Sequence, residues 1–225
     1  MDKPHATPSE FAPCPCRSGK AFFRCHGLSS RPLEPAVPAP ELAAPLVTRK
    51  LDLACGQDCR EGFEGVDRAQ LPGVKHVWDL MRYPWPFEDN SVAEIFCSHY
   101  IEHIPMVDID GQDALLRFFD ECYRILIPGG WMQVVTPNAR CDRAFQDPTH
   151  RRFIVQQTFA YLDANWRAAA KIDHYNVKCN FGVACDPIIF TELMVRHPLA
   201  QERMFRESWN TILDWTAKLQ SRKAA

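Results

Sequence analysis

Between Lys50 and Val135 five short apolar runs recur, each closed by a loop or an acid: KLDLA (50–54), FEGVD (63–67), VKHVWDL (74–80), VAEIFCS (92–98) and WMQVV (131–135). Short apolar runs bounded by turn signals read as strands buried on both faces, the kind that form parallel sheets. Such a sheet must be covered by helices on both faces, so the predicted fold class is α/β. The clearest helix is Asp113–Leu126, where Ala114, Leu115, Phe118, Phe119, Cys122, Ile125 and Leu126 share one face at helical spacing. Pro128-Gly129-Gly130 stops it ahead of WMQVV. Thr158–Trp166 and Glu202–Gln220 read as two further helices, the second with Phe205, Trp209, Ile212, Leu213 and Leu219 inward.

The chain divides into three parts. Residues 1–30 hold a Cys/His cluster, 31–45 form a Pro/Ala-rich linker, and 46–225 carry the α/β pattern. In the linker each proline fixes φ and removes a donor, which keeps the stretch extended. The cluster CPCRSGKAFFRCH supplies Cys14, Cys16, Cys25 and His26. Three thiolates and one imidazole make the closed tetrahedral shell of structural zinc. Arg17, Lys20 and Arg24 favour the thiolate form. Cysteines kept for metal rather than disulfides suit a reducing, cytoplasmic setting. A net charge of -2 predicts no general affinity for nucleic acid. No apolar run approaches the roughly 20 residues that span a bilayer, and the N-terminus has no secretory apolar region.

A strand, a glycine loop and a second strand ending in an acid form a nucleotide-type site at the carboxyl ends of the strands. The loop Ala54-Cys55-Gly56-Gln57-Asp58-Cys59 does not match G-x-G-x-x-G. Asp58 sets a negative charge where a pyrophosphate would lie. The gap before the second strand is also too short for a full helix, whose N-terminus would cradle a phosphate. S-adenosylmethionine has no phosphate and carries a sulfonium and an ammonium, so an acidic loop suits it.

Taken in order, LDLACG, GVD, WDL, FCSHYIEHI and LIPGGWMQVVTPN resemble the class I S-adenosylmethionine-dependent methyltransferases, over roughly 47–160. A very short first helix, which is all the gap allows, and PFEDNS resemble the methyltransferase type 11-like subgroup, which has a Rossmann-like sheet. The resemblance implies that Ala54, Cys55 and Gly56 pack against the methionine part of the cofactor, with Asp52 as the motif acid. It implies that Asp67 accepts from the ribose hydroxyls, that Asp79 and the backbone of Leu80 face the adenine amino group, and that Ser98 lines the cofactor and substrate side. Ala54 departs from the family's glycine; its methyl is tolerated at negative φ and strained at positive φ. The N-terminal cluster resembles the SEC-C zinc motif, with Arg17 in place of a glycine. That resemblance implies a zinc-stabilised module that recruits a protein partner.

Methyl transfer needs a general base only if the acceptor is protonated. His99, directly after the fourth strand, is the first candidate, and His103 reads as a helix residue bonded to the sheet edge. Asp147 and His150, in DPTHRR after the TPN loop, form a second candidate pair or, with another His, a metal site. Arg140, Arg143, Arg151 and Arg152 are candidates for an anionic acceptor. Cys179, Cys185 and His174 are better read as core thiols and a separate His than as a second metal site. The reading expects an enzyme methylating a small molecule or glycan hydroxyl. Its alternatives are an inactive binding module recruited through the zinc motif, and a nucleic-acid methyltransferase. Metal analysis of the purified chain should find about one zinc, lost when Cys14→Ser and Cys25→Ser are combined. A metal-free chain whose first 30 residues resist protease equally would refute the zinc module.

Overall fold

The computed structural model describes residues 49–189 and 197–224. The four zinc-motif ligands, Cys14, Cys16, Cys25 and His26, and the linker lie outside them. The described chain forms a seven-stranded mixed sheet in the order β3-β2-β1-β4-β5-β7-β6 with flanking helices. The strands are β1 (Lys50–Leu53), β2 (Glu64–Asp67), β3 (Val74–Val77), β4 (Val92–Ser98), β5 (Leu126–Pro137), β6 (Phe181–Ile189) and β7 (Ile212–Ser221). The first five are parallel, and β7 runs antiparallel between β5 and β6. The parallel α/β sheet anticipated from the apolar runs is therefore present, extended by the antiparallel β7 and by β6. The very short first helix implied by the resemblance is not present: turns alone join β1 to β2, where Asp52 and Asp67 hold the loop.

Helix α1 (Ala114–Ile125) is the amphipathic segment expected from its spacing. Asp113 caps it by accepting from the backbone N–H groups of Leu115 and Leu116 at 3.0 Å each. Its apolar face is buried through Phe118, Phe119, Cys122 and Ile125. The polar face holds the loop before β4. Glu121 accepts from Trp85 N at 2.6 Å, and Arg124 donates to the carbonyls of Phe87 and Trp85. Trp85, 2% exposed, fills the space beneath and packs edge-on against Phe118.

Two helical expectations are corrected. Thr158–Trp166 is split at Asp163 into a 3-10 turn (Gln156–Leu162) and a separate helix that Asp163 caps. Following the short α2 (Arg143–Gln146), that capped helix is α3 (Ala164–Ala170). The segment Glu202–Gln220 is not one helix. Helix α4 (Pro198–Glu207) ends early, Asn210 turns the chain at φ 60, and β7 follows. Ile212, Trp215 and Leu219 fit a helical stripe, but Trp215, Ala217 and Leu219 also alternate with Thr216, Lys218 and Gln220. The two-residue period prevails because β5 and β6 bond to both edges of this strand.

On β2, Gly65 permits a close approach. A Cβ there would stand 2.6 Å from the Gly73 carbonyl oxygen and 2.8 Å from Cys55 Sγ. Gly65→Ala should therefore lower unfolding stability by about 1–3 kcal/mol in urea titration, the usual range for overpacking. A cost under a few tenths would show that the backbone yields freely here.

Candidate functional site

β1 and β4 are neighbours, and the connections leave them toward opposite sides of the sheet. Ligands bind at such a switch point, beyond the strands' carboxyl ends. Both strands leave it through a non-glycine residue in the left-handed region, Ala54 at φ 54 and His99 at φ 52. That conformation costs an L-residue about 1–2 kcal/mol. Hydrogen bonds hold each in place. Ala54 N donates to the Val66 carbonyl at 2.7 Å, and His99 N to the Val135 carbonyl at 2.8 Å.

Two carboxylates pin the loop after β1. Asp52, buried on β1, accepts from Arg60 N at 2.7 Å. Asp67, at the end of β2, accepts from Gly56 N at 3.1 Å and from Ala69 N at 3.0 Å. Burial raises the Asp52 pKa, and the Arg60 N–H and charge oppose the rise. Each Asp67 oxygen has a second lone pair, so the carboxylate can still accept from a vicinal diol. Burial, with the neighbouring Cys59, Asp52 and Asp67, pushes the Cys55 thiol up to about 12. It is therefore a packing group rather than a nucleophile. Asp79 is half exposed beyond β3 and accepts from Met81 N at 2.9 Å. The Leu80 carbonyl accepts from Trp85 Nε1 at 3.0 Å. Ser98 closes β4, partly buried. The acceptor set, with two acids holding the glycine turn, Asp79 beyond β3 and no helix N-terminus after β1 to cradle a phosphate, fits a cationic nucleoside cofactor.

On the other side of the switch point, a 3-10 turn (Ile101–His103) follows β4. The backbone N–H groups of Arg151 and Arg152 donate to the Glu102 carbonyl at 2.7 and 2.9 Å. They lay the DPTHRR segment against this turn and bring His150 to His103, with ring centroids 4.7 Å apart. His99 Nδ1 stands 3.3 Å from Glu102 Oε1. The carboxylate raises the His99 pKa, and burial opposes it. Asp147 makes no hydrogen bond to His150: its Oδ2 stands 4.0 Å from Nε2, an ion pair only when the ring is protonated. It instead accepts from Thr149 N and Oγ1 in a local turn.

Three of the four arginines serve the fold rather than an anion. Arg152 is buried on the carbonyls of Ile104, Pro105 and Met106 and on Asp113. Arg143 pairs with Asp214 at 2.7 Å, and Arg140 donates to the Arg206 carbonyl. Arg151 is exposed. Cys179 is a buried free thiol, and no His/Cys cluster forms around it among the described residues.

Sequence reasoning missed Glu102 and Asp214. Glu102 lies 1% exposed between Ile101 and His103, four residues past β4. The apolar Ile101 and Ile104 on either side of this turn were the available signal that it is buried. Asp214 was hidden by the helical reading of β7, which removes it from the β5 end, where it pairs in register with Pro137.

The left-handed backbone at residue 54 predicts that Ala54→Gly leaves stability unchanged or raises it by up to about 1 kcal/mol. Ala54→Val should lower it by about 1–3 kcal/mol, because a β-branched residue is a severe outlier there. Equal thermal midpoints for the two variants would contradict the strain.

No curated protein matches the chain. A S-adenosylmethionine-dependent methyltransferase from Archaeoglobus fulgidus superposes with a TM-score of 0.51 at 15% identity, over 78% of this chain and 87% of that one. One from Mesorhizobium loti gives 0.42 at 15% identity, over 76% and 90%. The first likeness establishes a shared fold, and residues 49–134 match the family model described as a methyltransferase domain.

Proposed function

We propose that this protein transfers a methyl group from S-adenosylmethionine to a hydroxyl oxygen of a small molecule or glycan. The observation that carries the reading is the helix-free loop after β1, pinned by Asp52 and Asp67 at a switch point where His99 follows β4. The family match over residues 49–134 supports it.

The cofactor supplies a methyl group on a positively charged sulfur. Asp67 accepts from the ribose hydroxyls, and Asp79 with the Leu80 backbone faces the adenine. Asp52 holds the loop through Arg60 rather than touching the ligand. Ala54 to Gly56 pass close to the methionine part, where a left-handed turn keeps side chains clear. His99 takes the acceptor proton. Much of the rate comes from holding acceptor and methyl in contact and in line. The zinc motif at residues 1–30 serves as a recruitment module for a protein partner. No helix among the described residues is long and apolar enough to cross a membrane.

Calorimetry with S-adenosylmethionine and S-adenosylhomocysteine tests the reading. Both should bind, and Asp67→Ala should weaken them at least tenfold, since each hydrogen bond to a carboxylate is worth about 1.5–3 kcal/mol. His99→Ala should leave that affinity intact and slow transfer by about 10²–10⁴. Failure of both ligands to bind the folded protein would overturn the assignment.

A further inference from the structure

Glu102, His103 and His150 bring one ligand atom each to within 4.8 Å of one another. Nothing in the cofactor site uses this cluster, and its hydrogen bonds leave the inner atoms free. His150 Nδ1 lies 2.9 Å from the Ala144 carbonyl. A carbonyl only accepts, so the proton sits on Nδ1 and Nε2 keeps its lone pair. His103 Nδ1 lies 3.0 Å from Thr149 Oγ1, whose own hydrogen goes to Asp147 Oδ1 at 2.7 Å. Thr149 therefore accepts from His103, and that Nε2 is free as well. Fixing a ring through one nitrogen so that the other can ligate is how metal-binding histidines are oriented.

The carboxylate completes the set. Glu102 Oε2 accepts from Thr136 Oγ1 at 3.0 Å, while Oε1 has no aligned donor among the described residues and is buried. His99 Nδ1, 3.3 Å away, attracts it without aligning. A buried carboxylate oxygen without an aligned donor, in a group whose three ligand atoms lie within 4.8 Å of one another, calls for a cation.

We propose that Glu102 Oε1, His103 Nε2 and His150 Nε2 bind a divalent first-row transition ion. Two imidazoles and one carboxylate suit zinc, iron(II) or cobalt(II), and disfavour magnesium and calcium, which take oxygen shells. Three protein ligands leave a coordination position open, unlike the closed shell expected of the N-terminal cysteines. The open position would take a water or an acceptor oxygen on the His99 side. That role rests on the methyl-transfer reading above; the binding itself does not.

The test uses cobalt(II) with the full-length, chelator-stripped protein carrying Cys14→Ser and Cys25→Ser, which removes the thiolate cluster. One cobalt per chain should bind with visible d–d bands and without thiolate charge-transfer absorption, and zinc should displace it. Glu102→Gln, and His103→Ala with His150→Ala, in the same background should each weaken binding at least tenfold. Absence of a thiolate-free cobalt site in the Cys→Ser protein would overturn the proposal even if the other variants fail to fold. Folded variants that titrate like their parent would also overturn it. Cobalt binding without S-adenosylmethionine binding would instead sink the methyl-transfer reading and leave the metal site standing.

Discussion

The loop after β1 is held by two carboxylates, and the cofactor half of the molecule depends on that restraint. A connection this short has no helix to fix it. Asp52 reaches forward to Arg60 N, and Asp67 reaches across from β2 to Gly56 N. Each is a hydrogen bond to a charged acceptor, among the stronger kinds in a protein. Together they keep Ala54 in a conformation its methyl disfavours. The same acids give the loop its sign. A loop held by carboxylates repels a pyrophosphate, and the proposed sulfonium suits it.

The acceptor half is organised differently. Its polar groups come from the turn after β4, the DPTHRR segment and β7, and backbone bonds to the Glu102 carbonyl draw the first two together. Asn138, at the end of β5, bonds the Ile212 carbonyl and receives Trp215 Nε1. The TPN loop is thereby fastened to β7, which sets Asp214 beside Arg143. One side of the switch point is thus a loop pinned by acids around a glycine. The other is a set of imidazoles around a buried carboxylate.

Much of this was legible in the sequence. The first four strands and α1 follow from apolar runs and helical spacing, because buried parallel strands and a one-sided helix each leave a distinct period. That no full helix fits after β1 follows from length, but the very short one expected there is replaced by turns. The two-sided strand β7 was not legible, since Ile212, Trp215 and Leu219 satisfy both periods and only the neighbours β5 and β6 decide. His99 and His150 were found as candidates, but Glu102 was not. Its role comes from a contact across nearly fifty residues, through the backbone of Arg151 and Arg152, which no local pattern encodes. The arginines misled for a related reason: a basic string reads as an anion site until the carbonyls that receive it are known.

The position of β7 has a consequence for biosynthesis. It is the last strand of the described chain, yet it lies between β5 and β6, bonded to both. During vectorial synthesis β1 to β5 can assemble first, leaving β5 as an open edge until residues near 221 emerge. An open edge of apolar strand is a template for wrong pairing. The nascent protein is therefore exposed to wrong pairing until β7 emerges and inserts between β5 and β6.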